Sequence, residues 1–132
     1  MTGVASLEAL FGTDDAPGWS PRVRQDDGAE IFSRTRASSV TCTSYACEVQ
    51  EELGAARVKV MGFFCDDNPG TAVETVCDGH DFAVVDGRFV VDGWIKLVEQ
   101  ISDRVAFDLA SPADADEVAR LYGDRTKWER CG

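Results

Sequence analysis

The stretch Gly79-His80-Asp81-Phe82-Ala83-Val84-Val85-Asp86-Gly87-Arg88-Phe89-Val90-Val91-Asp92 decides how the chain is read. Two runs rich in Val and Phe flank an Asp-Gly pair, the pattern of a β-hairpin, and the near-continuous apolar character of both runs places that hairpin centrally in a sheet. The hairpin begins at the only histidine in the chain and ends at an aspartate. An imidazole oriented by a carboxylate from the neighbouring strand needs only a nucleophile to complete a catalytic triad.

Register decides whether the two side chains meet. A two-residue Asp86-Gly87 turn pairs Val85 with Arg88 and sends His80 and Asp92 to opposite faces of the ribbon. A three-residue Val85-Asp86-Gly87 turn, with Gly87 left-handed in a bulge, pairs Val84 with Arg88 and sets His80 directly opposite Asp92. The bulged turn is expected.

Upstream, the segment Cys42–Leu53 is expected to be a helix, capped by Thr41 and ended by Gly54. On that helix Cys42, Ala46, Val49 and Leu53 share one face, so Cys42 heads the buried stripe. At a helix N-terminus, unpaired backbone N–H groups stabilise a thiolate and hold a developing oxyanion. Cys47 is rotated about 140° from Cys42 and sits mid-helix, so it is the weaker nucleophile candidate.

The remaining elements follow from periodicity and punctuation. Residues 1–30 read as a weakly ordered N-terminal arm with one short amphipathic segment, Leu7–Phe11, and residues 31–132 as the folded domain. Arg57–Phe64 reads as a strand, Trp94–Ile101 as a helix and Arg104–Leu109 as a further strand. Ser111-Pro112-Ala113-Asp114 opens a last helix that Gly123 closes. The fold class is therefore α+β, with a Cys-bearing helix packed on a small antiparallel sheet and a helix near the C-terminus.

Composition narrows the function. The chain has 132 residues and a net charge of −11, and such an acidic surface repels the phosphate backbone of nucleic acid. No apolar run approaches the ~20 residues needed to cross a bilayer. The start, Met1-Thr2-Gly3-Val4-Ala5-Ser6, lacks a basic region followed by a long apolar one, so a soluble protein without a cleavable signal peptide is expected.

Five cysteines are an odd number, which leaves at least one thiol unbridged in a monomer. Cys65 and Cys77 bracket an acidic loop and could be joined in an oxidising compartment, or remain buried reduced thiols. Cys77-Asp78-Gly79-His80, with Cys65 and either Cys42 or Cys47, offers four metal ligands, but paired C-x₂-C knuckles are lacking, and no metal or cofactor is expected.

Cys42 heading a helix, then Gly79-His80-Asp81-Phe82-Ala83-Val84-Val85 and Arg88-Phe89-Val90-Val91-Asp92-Gly93-Trp94, resembles the compact papain-like fold. The similarity is to papain-fold toxin and effector domains related to the dermonecrotic-toxin deamidases, and it covers roughly residues 38–95. It implies Cys42 as nucleophile, His80 as general base and acid, and Asp92 as orienter. It further implies attack on a protein carboxamide or acyl group, by glutamine deamidation, transglutamination or proteolysis. For location, the resemblance implies a secreted or translocated effector without a classical signal peptide, and a cytoplasmic protein is the alternative expectation. The glutamine that papain-like peptidases carry just upstream of the nucleophile is missing here. The oxyanion donors would then be the Cys42 N–H with Ser39, Thr41 or Gln100. The competing reading is a non-catalytic acidic domain that binds another protein.

Overall fold

The computed structural model describes residues 2–20 and 34–132, and only the backbone for residues 34–41. Among the described residues four α-helices accompany five strands: α1 is Val4–Phe11, α2 Arg34–Leu53, α3 Trp94–Leu97 and α4 Pro112–Tyr122. The strands are β1 Val58–Phe64, β2 Gly79–Val85, β3 Phe89–Val91, β4 Ala106–Asp108 and β5 Glu129–Arg130. They form one antiparallel sheet in the order β4-β3-β2-β1-β5. The fold is α+β.

The central hairpin forms with neither anticipated register. Val85 pairs with Phe89 and Ala83 with Val91, which sets Phe82, rather than His80, level with Asp92. The turn differs because both Asp86 (φ 54°) and Gly87 (φ 64°) are left-handed, and the Arg88 N–H donates to the Val85 carbonyl at 3.0 Å. Asp tolerates this conformation at modest cost, and an ion pair helps to hold it there. The Asp86 carboxylate takes two bonds from Arg57, at 2.9 and 3.1 Å, and its N–H donates to the Arg57 carbonyl. Arg88 in turn grips Asp108 of β4 through two 2.8 Å bonds. The observed register differs from the expected one by two residues, so its parity is unchanged. His80 and Asp92 keep the same face and meet on a diagonal.

Helix α2 lies across β2 and β1. Its buried stripe is Cys42, Tyr45, Ala46 and Val49, with Leu53 partly buried against the core. The helix is longer than the sequence pattern indicated: it begins at Arg34, so Thr41 lies inside it and is not its cap. It ends as expected, with Gly54 at φ 98°.

The N-terminal residues are not the weakly ordered arm expected of them, as far as residue 20. Leu7, Phe11, Ala16 and Trp19 all enter the core, and Trp19 lies edge-on to Phe11 and Tyr45. Burying each large apolar side chain contributes roughly 1.5–3 kcal/mol, which explains why this segment docks. The Glu8 carboxylate of α1 accepts the N–H groups of Val105 and Ala106, at 2.7 and 2.8 Å, closing the exposed edge at β4. The rest of the expected arm, 21–30, lies outside the described residues.

Helix α3 is a single turn, shorter than the expected 94–101, and β4 is the inner half of the expected strand. Helix α4 starts after Ser111 with Pro112 in its first turn and stops at Gly123 (φ 69°), in accord with the sequence. After it, Glu129 and Arg130 pair with Gly62 and Met61 to form the opposite edge.

Candidate active site

His80 stands near the start of β2 and Asp92 just past the end of β3, and both are buried, at 2% exposure each. The imidazole Nε2 is 2.5 Å from Asp92 Oδ2, so its N–H donates to the carboxylate. The same oxygen accepts the Tyr122 hydroxyl at 2.7 Å, and Asp92 Oδ1 accepts the Trp94 N–H at 3.1 Å. The carboxylate is thus held by three donors from β2, α3 and the last turn of α4. Phe82, Trp94 and Tyr122 surround the imidazole, and the Tyr122 ring lies parallel to it, at 2° and 5.7 Å.

Burial alone would drive the His80 pKa down. The Asp92 carboxylate outweighs that penalty through its charge and hydrogen bond, and the Cys42 thiol adds to it, so the pKa is raised to about 10. The ring is therefore an imidazolium at neutral pH. Its Nδ1 makes no directed hydrogen bond. Burial and the Asp92 carboxylate push the Tyr122 phenol well above its ordinary pKa, which keeps it a hydrogen-bond donor.

Cys42 comes from α2, which packs across β2, and the Asp81 N–H approaches its Sγ at 3.4 Å. Thr43 next to it donates to Asp81 Oδ2 at 2.6 Å, tying the helix to the strand. Cys42 and His80 form the floor of a cleft of about 470 Å³. Gly62 and Gly79 line it as well. A Cβ at Gly62 would come within 2.1 Å of Asp81 Oδ1, so only glycine leaves that carboxylate in place.

The structure thus brings Cys42, His80 and Asp92 together, but not in the local setting anticipated for the thiol. Cys42 lies roughly two turns inside α2, where its N–H bonds the carbonyl four residues back and cannot serve an oxyanion. In place of the expected helix terminus, the groups that face the thiol are the Asp81 N–H and the His80 ring. Ser39 and Thr41 belong to the part of α2 whose side chains lie outside the described residues. Gln100 is an exposed loop residue with φ 57°, away from the cleft. Cys47 does not line the cleft either.

Cys65 and Cys77 are free thiols, the first donating to the Cys77 carbonyl at 3.4 Å and the second to the Val73 carbonyl at 3.2 Å. Among the described residues, no group of three or more His, Cys, Asp or Glu side chains is placed to hold a metal ion. No described helix is long and apolar enough to cross a membrane.

Tyr122 was not read from the sequence as part of the site. Its only local signal is an aromatic residue in the last turn of an amphipathic helix, which usually means core. What joins it to Asp92 is a contact across thirty positions of sequence.

These features define an α+β domain whose cleft has a cysteine, a histidine and an aspartate gathered beneath it. The chain matches no protein-family model, no curated protein and no solved structure.

Proposed function

We propose that the chain is a papain-like cysteine hydrolase that acts on protein amides, as a glutamine deamidase of the effector type. The observation that carries this reading is the His80 imidazolium, held by Asp92 and close to the Cys42 thiol on the floor of an open cleft.

The reaction needs no cofactor. Cys42, as the thiolate facing the imidazolium, adds to the carboxamide carbon of the substrate. The tetrahedral intermediate collapses as His80 gives its proton to the leaving nitrogen, releasing ammonia and leaving a thioester. Neutral His80 then takes a proton from water as its oxygen attacks the thioester, which frees a carboxylic acid and restores the ion pair.

Depth favours a side-chain amide over a peptide bond. Cys42 is only 1% exposed, so a main chain lying on the surface stays out of reach, whereas a slender glutamine side chain can reach down the cleft that Gly62 and Gly79 line. A cysteine protease of the same fold is the less favoured form of this reading for that reason.

The competing reading is a non-catalytic acidic domain that binds another protein. The helix-interior position of Cys42 favours it, since its own N–H cannot stabilise an oxyanion. The two readings separate when the purified protein is incubated with glutamine-containing peptides and followed by mass spectrometry and ammonia release. The hydrolase converts amide to acid and the Cys42→Ala variant does not. A wild-type protein that leaves every peptide unchanged is the binding domain.

A further inference from the structure

A second cavity, of about 510 Å³, shares no lining residue with the cleft that holds Cys42. Met61, Val84, Leu109 and Trp128 give it an apolar lining, and the exposed Lys59 and Arg125 stand at its rim. Strand pairing builds one wall. Lys59 stands opposite Val84 and Met61 opposite Phe82, so these four side chains share one face of the sheet. Phe82 is buried against Trp128, whose ring meets it edge-on at 4.8 Å. The four apolar lining residues pack on the core yet stay only half-buried.

Charge sets this cavity apart. No described acidic residue lines it, in a chain whose net charge is −11. The acids adjacent in sequence to its lining are engaged elsewhere. Asp86 is held by Arg57, Asp108 by Arg88, and Asp124 by the N–H and hydroxyl of Thr126, while Glu129 lines the other cleft. Neither Lys59 nor Arg125 forms an ion pair among the described residues. Two uncompensated cations beside a half-buried apolar lining complement a ligand that is anionic and apolar together. Trp, Met and Arg are the residue types enriched at protein interfaces, which favours a protein segment over a small anion.

We infer that this cavity docks an acidic segment of a partner protein, with an aliphatic or aromatic side chain laid on Met61 and Trp128 and carboxylates facing Lys59 and Arg125. The inference does not depend on the hydrolase reading, since neither Cys42 nor His80 takes part. At physiological salt charges are screened over about 8 Å, so a carboxylate seated here responds to Lys59 and Arg125 rather than to the acidic surface at large.

The test pans a displayed library of random peptides against the whole chain and then measures one enriched peptide, made synthetically with a fluorescent label. Enriched sequences should place Asp or Glu beside an aliphatic or aromatic residue. By anisotropy, Lys59→Glu and Arg125→Glu should each weaken the labelled peptide about fivefold. Lys96→Glu, the same change of net charge away from the cavity, should leave its affinity unchanged. Docking should also shield Trp128 from acrylamide quenching, which is legible because Trp19 and Trp94 are already buried. No enrichment, enrichment of basic or uncharged sequences, an equal loss in Lys96→Glu, or unchanged quenching overturns the inference. Dimerisation of the chain that Lys59→Glu abolishes, or binding of phosphatidylserine vesicles that displaces the peptide, also overturns it, because either gives the cavity another occupant.

Discussion

His80 and Tyr122 share one acceptor: the imidazole Nε2 and the phenolic hydroxyl both bond Asp92 Oδ2, at 2.5 and 2.7 Å. A donor on that oxygen stabilises the carboxylate most when the imidazole is neutral, so Tyr122 holds down the proton affinity of His80. It thereby opposes the attraction that raises the ring's pKa to about 10. Tyr122 is itself fixed at its backbone, where its carbonyl accepts bonds from Asn68 and from the Trp128 indole.

Tyr122→Phe should move the His80 pKa further upward and cost about 2 kcal/mol of stability, the typical loss of a buried hydrogen bond to a charged group. Because the chain has a single histidine, one imidazole resonance in an NMR titration reads the result directly. A pKa that is unmoved in a folded variant would show that the shared oxygen is only structural.

Asp92→Asn should act in the opposite sense. Without the carboxylate the largest raising cause is gone and burial opposes only the contribution of Cys42, so the His80 pKa falls from about 10 toward the ordinary value of 6.5. Turnover should drop by roughly 10²- to 10⁴-fold, with Cys42 still present and alkylatable.

Stability should decline as pH rises from about 6.5 to about 10. His80 has a higher pKa in the folded protein than in the unfolded chain, so across that window the native state holds more protons, and its contribution is complete below 6.5 and lost by 10. Cys131, raised to about 11, and Cys77, raised mainly by burial, push the same way at the alkaline end. Urea midpoints at pH 6 and pH 10 should differ in the wild type, and differ less in Asp92→Asn.

Gly62→Ala should impair the site without touching its chemistry. The new Cβ would meet Asp81 Oδ1 at 2.1 Å and the His80 carbonyl at 2.9 Å, displacing the carboxylate that Thr43 holds. A cost of about 1–3 kcal/mol and a loss of most activity are expected, from thermal melts and the deamidation assay.

The hairpin was legible because parity survives an error of register. Alternation is set by the side-chain period of two, so His80 and Asp92 had to share a face in any register of that parity, even though Asp86 is left-handed beside Gly87, as the two-residue Asp-Gly turn requires and the expected bulged turn does not. The start of α2 was not legible. Arg34-Thr35-Arg36-Ala37-Ser38-Ser39 is polar, its Ser and Thr compete with the helix for backbone bonds, and Thr41 resembles a cap. The docking of α1 was missed because its contacts with β3 and β4 are long-range. Tyr122 was missed for the same reason.

The central claim is that Cys42 is a nucleophile activated by His80, and competitive alkylation with iodoacetamide at neutral pH, mapped by peptide mass spectrometry, tests it most directly. Exposure alone ranks the exposed Cys131 first and the buried Cys42 last. Activation predicts that Cys42 reacts faster than Cys131 and that His80→Ala abolishes that advantage. Labelling that follows exposure, with Cys42 slowest and indifferent to His80, would contradict the account.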